Sequence, residues 1–300
     1  MTVTVNCYTS GDVWVRQEEM IQTLYSIAPT TDVIIDTQFE GISLGASGIL
    51  DAINQWVAET GRDPRTIQIG TPNQFEKIPY QFKDIEGKLS YSFGKHVSYL
   101  CDPRLLGSSG KLFGLFMQRY TKDRETIAQD MLDYYQHYCL ISIQRNNRLA
   151  GNNQIWWPAH IYNIGSIDNT DLQDHYGDNP TANSSLLTFY DQFQIEIVAE
   201  TITRGESFFA TEKTVRPIVG CRPFLLYGTV GFLKNLKQAG FRTFSELWSE
   251  DYDQFEGPER WNQIKLTIDL IVRDGYNIDL AREIVAYNYH YLSKCTEKKA

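Results

Sequence analysis

Apolar and polar positions alternate over residues 2–7 (TVTVNC), and apolar positions then recur at helical spacing over 13–27. That switch of period predicts a strand followed by a helix. The same alternation of elements continues. DVIID (32–36) reads as a second strand, 48–60 as an amphipathic helix stopped by Gly61, and TIQIG (66–70) as a third strand. Residues 72–94 mix Tyr, Phe and Lys with turn residues and read as irregular, and 97–100 reads as a further strand. The run Leu106-Gly107-Ser108-Ser109-Gly110 is the best linker candidate.

A second series begins beyond it. KLFGLFM (111–117) is a buried strand, Thr121 an N-cap for a helix through Tyr135, and 140–143 the next strand. Residues 146–185 are polar, Asn-rich and Gly-rich, broken by the cluster Ile155-Trp156-Trp157-Pro158. So long a loop is usually functional or disordered. Residues 194–199 and 223–227 read as buried strands, 233–239 as a short helix closing at Gly240, and 258–272 and 278–292 as the last helices, before a CTEKKA tail expected to fray. Strands alternating with helices predict an α/β protein of two Rossmann-like halves built on parallel sheets. The expected division is 1–107, 111–275 and a C-terminal helix and tail, 276–300, free to pack back on the first half.

Composition narrows the function more than the fold. Hydrophobic residues make up 42% and charged residues 22% of the chain, ordinary values for a soluble domain. A net charge of -9 argues against a broad nucleic-acid-binding surface, though not against a local basic groove. The five cysteines are scattered and show no CxxC spacing, which fits free thiols in a reducing compartment. The chain opens as a strand rather than a signal peptide, and no apolar run is long enough to span a bilayer, so a cytoplasmic location without membrane contact is expected.

Several signatures of chemistry are missing. The sequence has no Walker A loop, no GxGxxG and no HExxH, and its five histidines share no ligand spacing, so neither a bound metal nor a resident cofactor is expected. Gly41-Ile42-Ser43-Leu44-Gly45 fits the GxSxG pattern of a hydrolase nucleophile elbow, but residues 37–40 intervene between it and the strand before it. A glycine-rich turn into a helix reads better. Glu40 lies just past the carboxyl end of the second strand, where open α/β sheets place ligands. A carboxylate there can take the proton of an acceptor hydroxyl, or can simply cap the next turn. Asp12 sits similarly after the first strand, and Trp156 and Trp157 offer faces for an acceptor or fill core.

In the second half, Arg119 and Arg124 flank the turn after KLFGLFM, where a guanidinium at a helix start suits a phosphate; a surface pairing of Arg124 with Asp123 or Glu125 reads as well. Thr211-Glu212-Lys213 stands at another helix start, following a strand and loop that carry Glu200. An acid beside a base at that place suits a ribose hydroxyl and a diphosphate oxygen.

These residues carry a resemblance. The run from Phe193 to Gly228 resembles the nucleotide-sugar-binding segment of the α1,3-fucosyltransferases. There a strand ending in a Phe-Glu-Asn-Ser type motif leads to a Thr-Glu-Lys motif, a helix and a proline-led strand. Val198-Ala199-Glu200-Thr201 stands at the first motif, Thr211-Glu212-Lys213 at the second, and RPIVGCRPFLLYG (216–228) at the helix and strand. Arg124 matches that family's diphosphate-contacting arginine. The longer stretch from Phe193 to Asp253, with TEKT, RPI, GF-TF and YD, together with the turn at Glu40-Gly41, also looks like a family of short phage-borne glycosyltransferases acting in a host cytoplasm. The resemblance implies the GT-B arrangement, two Rossmann-like halves facing a cleft, with a nucleoside-diphosphate sugar as co-substrate and no metal. It implies donor contacts from Arg119, Arg124, Glu200, Thr211, Glu212 and Lys213, with Glu40 as the base if the reaction inverts. A hydroxylated or hydroxymethylated base in DNA and a glycan are the acceptors left open. Thr201-Ile202 replaces the Asn-Ser of the fucosyltransferase motif, so the donor need not be GDP-fucose. Two rival readings are a hydrolase using Ser43 and a non-catalytic nucleotide-sugar binder.

Overall fold

The structure is a computed structural model that describes residues 2–7, 17–37, 43–45, 47–71, 73, 77–83, 102–107, 110–117, 120–143 and 189–297. It is an α/β protein with two parallel sheets, and the chain divides into two compact units. One comprises Met1–Leu89, Arg204–Phe209 and Thr229–Phe232; the other comprises Ser90–Thr203, Ala210–Gly228 and Leu233–Ala300.

The first unit holds β1 (Thr2–Asn6), β2 (Asp32–Asp36), β3 (Ile67–Gly70) and β4 (Gln81–Phe82), adjacent in that order and all parallel. Val5 pairs with Ile35 and Ile35 with Ile69, so the inward side chains form rows across the sheet. Helices α1 (Gln17–Ser26) and α2 (Ile49–Thr60) bring Met20, Leu24, Ile49, Ile53 and Trp56 into the same core. The spacing of Ile49, Ile53 and Trp56 puts all three on one helical face, as the sequence pattern requires. Arg62 then stacks on Trp56 at 4.6 Å and donates to the carbonyls of Ile27 (3.1 Å) and Ala28 (2.6 Å), satisfying groups just past the end of α1. The short β4 lies in the stretch read as irregular. Pairing to Gln68 and Ile69 makes it a strand, not a period of its own.

The second unit holds β5 (Lys111–Met117), β6 (Cys139–Ile143), β7 (Phe193–Ala199) and β8 (Phe224–Tyr227), all parallel, in the order β6-β5-β7-β8. All four residues of β8 and six of the seven in β7 are buried, which explains the unbroken apolar run FLLY in β8; in β7 burial extends to a charged residue, Glu196. Gly114 of β5 leaves room for the Phe193 ring, 2.7 Å from where a Cβ would lie. Gly220 does the same for Tyr190, whose Cδ1 lies 2.1 Å from the corresponding position.

Helices α3 (Lys122–Tyr135), α4 (Glu212–Val219), α5 (Phe232–Gln238), α6 (Gly257–Asp274) and α7 (Ile278–Glu297) complete the described chain. Asp130 of α3 accepts from Trp261 (2.8 Å) and Lys265 (2.7 Å) of α6, and Tyr135 donates to Asp269 (2.7 Å). These bonds pin the two helices side by side.

The described part of the expected linker, Leu106 and Gly107, falls in the second unit, and so does α7, which was expected only to be free to pack back on the first half. Leu106 is fully buried, and Arg282 of α7 donates to its carbonyl at 2.8 Å. Ile278 packs against Gly107, within 3.3 Å of where a Cβ would sit. The glycine there marks a close approach between segments, not a free linker. Helix α7 also continues to Glu297, into the stretch expected to fray. The strand expected at 97–100 and the Asn-rich segment at 146–185 lie outside the described residues.

Candidate functional site

In the second sheet the chain leaves β5 to form β6 on one side, then returns to add β7 on the other. The order therefore reverses between β5 and β7, and in open parallel sheets ligands bind beyond the carboxyl ends of the strands at such a point. The residues just past those ends are Thr121 and the first turn of α3 after β5, and Glu200 and Thr201 after β7.

Thr121 caps α3, its hydroxyl accepting from the Arg124 N–H at 3.2 Å. Arg124 is buried, and its Nη2 donates to the carbonyls of Ala199 (3.0 Å) and Glu200 (2.9 Å). The guanidinium thus holds the carboxyl end of β7 against α3. Those Nη2 bonds go to backbone, so this part of the guanidinium serves the fold.

Glu200 is fully buried. One carboxylate oxygen accepts from the N–H groups of Thr211 and Thr214, each at 3.2 Å, and from the Thr214 hydroxyl. The other accepts from the Thr201 N–H at 3.0 Å and the Thr211 hydroxyl at 2.6 Å. Thr211 is the N-cap of α4, its hydroxyl also accepting from the Lys213 N–H at 3.2 Å. The start of α4 was expected to attract an external anion. It already holds an internal one, since Glu200 takes the donors and faces the positive end of the helix dipole. Glu200 thereby orders the start of α4 and ties it to the end of β7.

Lys213 projects from the first turn of α4, half-buried, with its ammonium donating to the Thr201 hydroxyl at 3.0 Å. That bond fixes a cation beside the carboxyl end of β7. The structure therefore brings together Arg124, Glu200, Thr211 and Lys213. Asp12, Glu40, Arg119, Trp156 and Trp157 lie outside the described residues, as does the side chain of Glu212. Ser43 lies well past the end of β2 at Asp36 and well before α2 at Ile49, not on the tight strand-to-helix turn of a nucleophile elbow.

Two charged clusters escaped the sequence reading. Glu196, inside β7, is fully buried and bonded to Arg216 of α4, whose Nε donates to it at 3.0 Å and to the Tyr190 hydroxyl at 3.0 Å. Tyr190 also donates to Glu196. Burial works against the Arg216 charge, but the Glu196 carboxylate more than offsets this and holds the guanidinium above its usual range. The cluster anchors α4 one turn beyond Lys213. The visible signal was a glutamate in the middle of a largely apolar strand.

In the second cluster Asp253 accepts from the N–H groups of Leu233 and Lys234, each at 3.0 Å, at the start of α5. Arg260 donates to Asp253 at 3.0 Å and to the Leu226 carbonyl of β8 at 3.1 Å. Helices α4 and α5, which follow β7 and β8, both begin on carboxylates from their own chain.

Among the described residues no group of three or more His, Cys, Asp or Glu is arranged to hold a metal ion, and no helix is long and apolar enough to cross a membrane. No family model, curated protein or solved structure matches the chain.

Proposed function

We propose that the protein is a glycosyltransferase of the two-half GT-B class, moving a sugar from a nucleoside-diphosphate donor to a hydroxyl acceptor. One observation carries this reading. A lysine, Lys213, is held by Thr201 beyond the carboxyl ends of a parallel sheet at the point where its strand order reverses. Lys213 meets the donor diphosphate and neutralises the charge that grows on it as the sugar–oxygen bond breaks, a stabilisation that needs no metal. Arg124, Glu200 and Thr211 keep the β7 end and the α4 start in register so that this cation is fixed before the donor arrives. The acceptor oxygen attacks the anomeric carbon and its proton passes to a carboxylate, for which Glu40 is the candidate in an inverting reaction. A hydroxylated base in DNA and a glycan hydroxyl are the acceptor classes; the net charge of -9 favours the glycan unless a local basic rim receives the nucleic acid.

The test is a thermal-shift panel of UDP-, GDP- and CDP-sugars on the wild type and on Lys213→Ala. A ligand at a hundred times its Kd stabilises by about 2.7 kcal/mol, an easily read shift. One donor should shift the wild type, and Lys213→Ala should lose most of that shift at an unchanged unliganded midpoint. No shift with any donor would sink the proposal. Binding without transfer to any hydroxyl acceptor would instead leave a nucleotide-sugar binder.

A further inference from the structure

We propose that Asn73, in the first unit, is a positioning residue for the donor site. The inference rests on the donor-binding reading of Lys213 and Thr201. The loop after β7 joins Thr201 to Thr211, so both of its ends carry residues of that site. Its central part, Arg204–Phe209, belongs to the first unit. There Asn73, fully buried just beyond the carboxyl end of β3, accepts the Phe208 N–H through Oδ1 at 2.9 Å.

Asn73 is itself held. Its backbone N–H donates to the Thr71 hydroxyl at 3.1 Å, and Thr71 is also fully buried. The rest of the loop's centre is fastened to Thr229–Phe232. Val230 donates to the Gly205 carbonyl at 3.0 Å, the Thr229 hydroxyl donates to the Ser207 carbonyl, and the Phe208 and Phe232 rings lie 4.9 Å apart.

A buried amide side chain is costly unless bonded, and this one is bonded to the backbone of a loop 135 positions away in sequence. A loop at the carboxyl end of a strand beside the order reversal is where α/β proteins shape their ligand sites. Asn73 therefore sets the course of the chain between Thr201 and Thr211 through its bond to Phe208.

The experiment compares wild type, Asn73→Ala, Asn73→Asp and a control, Ile53→Val, which thins the first unit's core away from the loop. Amide exchange over residues 205–209 is followed by mass spectrometry, and binding of UDP, GDP and CDP by calorimetry. Removing the acceptor for a buried N–H should speed exchange there and weaken nucleotide binding, each by roughly tenfold. Asn73→Asp, which keeps the acceptor oxygen, should restore most of both. Ile53→Val should lower the melting midpoint and change neither. Should Asn73→Ala fail to fold, Thr71→Ala, which removes the bond that orients Asn73, should move both readouts in the same direction but less far. Nucleotide affinity unchanged in a folded variant that lacks the Phe208 bond would overturn this inference alone. A wild type that binds none of the three nucleotides would overturn the donor reading and this inference with it.

Discussion

Replacing Glu200 separates a carboxylate that shapes the site from one that binds a sugar. In Glu200→Ala the N–H groups of Thr201, Thr211 and Thr214 lose their acceptor together, while the two threonine hydroxyls can turn to other partners. Each orphaned buried donor costs about 1–3 kcal/mol. Against this, the mutant no longer buries a charge, which relieves part of the loss. Three such donors, less that relief, give a net expectation of about 3–5 kcal/mol. Glu200→Gln is the sharper probe. Its oxygen can keep the bonds to Thr211 and Thr214, but its amide nitrogen then faces the Thr201 N–H, donor against donor, at about 1–3 kcal/mol.

A chain of two units need not unfold in one step, so the assay should be local. Amide exchange across α4 should speed up by roughly two to three orders of magnitude in Glu200→Ala, and by roughly one or two in Glu200→Gln. If both variants exchange like the wild type while donor affinity collapses, the carboxylate is not an internal cap. The direct sugar contact expected from the sequence would then be restored.

Two further outcomes follow from buried groups. Arg216→Met should lower stability in urea unfolding by about 3–5 kcal/mol because it strands Glu196 in the core, whereas the double variant Glu196→Leu/Arg216→Met should recover most of that loss; equal losses in both would refute the pairing. Burial, with Asp36 adding to it, pushes the Cys7 thiol up to about 12, so at roughly pH 8.5 it carries about a thousandfold less thiolate than a free cysteine. Cys139 and Cys221 are buried as well. All three should resist iodoacetamide in the native protein and react on unfolding, as read by peptide mass spectrometry.

Strands β1–β3 and β5–β8 and the long helices were legible because each carries its own period or its own unbroken apolar run. β4 was not, because two residues have no period and its identity comes from neighbours. The assignment of α7 was hidden for a related reason. Its amphipathic face says that it packs but not on what, and the deciding contacts to Leu106 and Gly107 lie in a stretch that reads as a linker. At the site, residue types were readable and their roles were not. Glu200 and Arg124 stand where ligand-binding groups belong, yet whether such a group faces outward depends on its partners. Those partners, Thr214 and the β7 carbonyls, are ordinary residues with no signature. Asn73 and Glu196 were missed because a lone amide in a loop and a lone acid in a strand point to nothing until the folded chain supplies the other half.

The contact between Gly220 and Tyr190 also bears on how this chain can drift. A side chain at position 220 would overlap the ring at 190, and that ring is bonded into the pair formed by Glu196 and Arg216. The four positions are therefore coupled: alanine at 220 fits only once a smaller side chain stands at 190, and that exchange also takes a hydroxyl away from the Glu196–Arg216 pair.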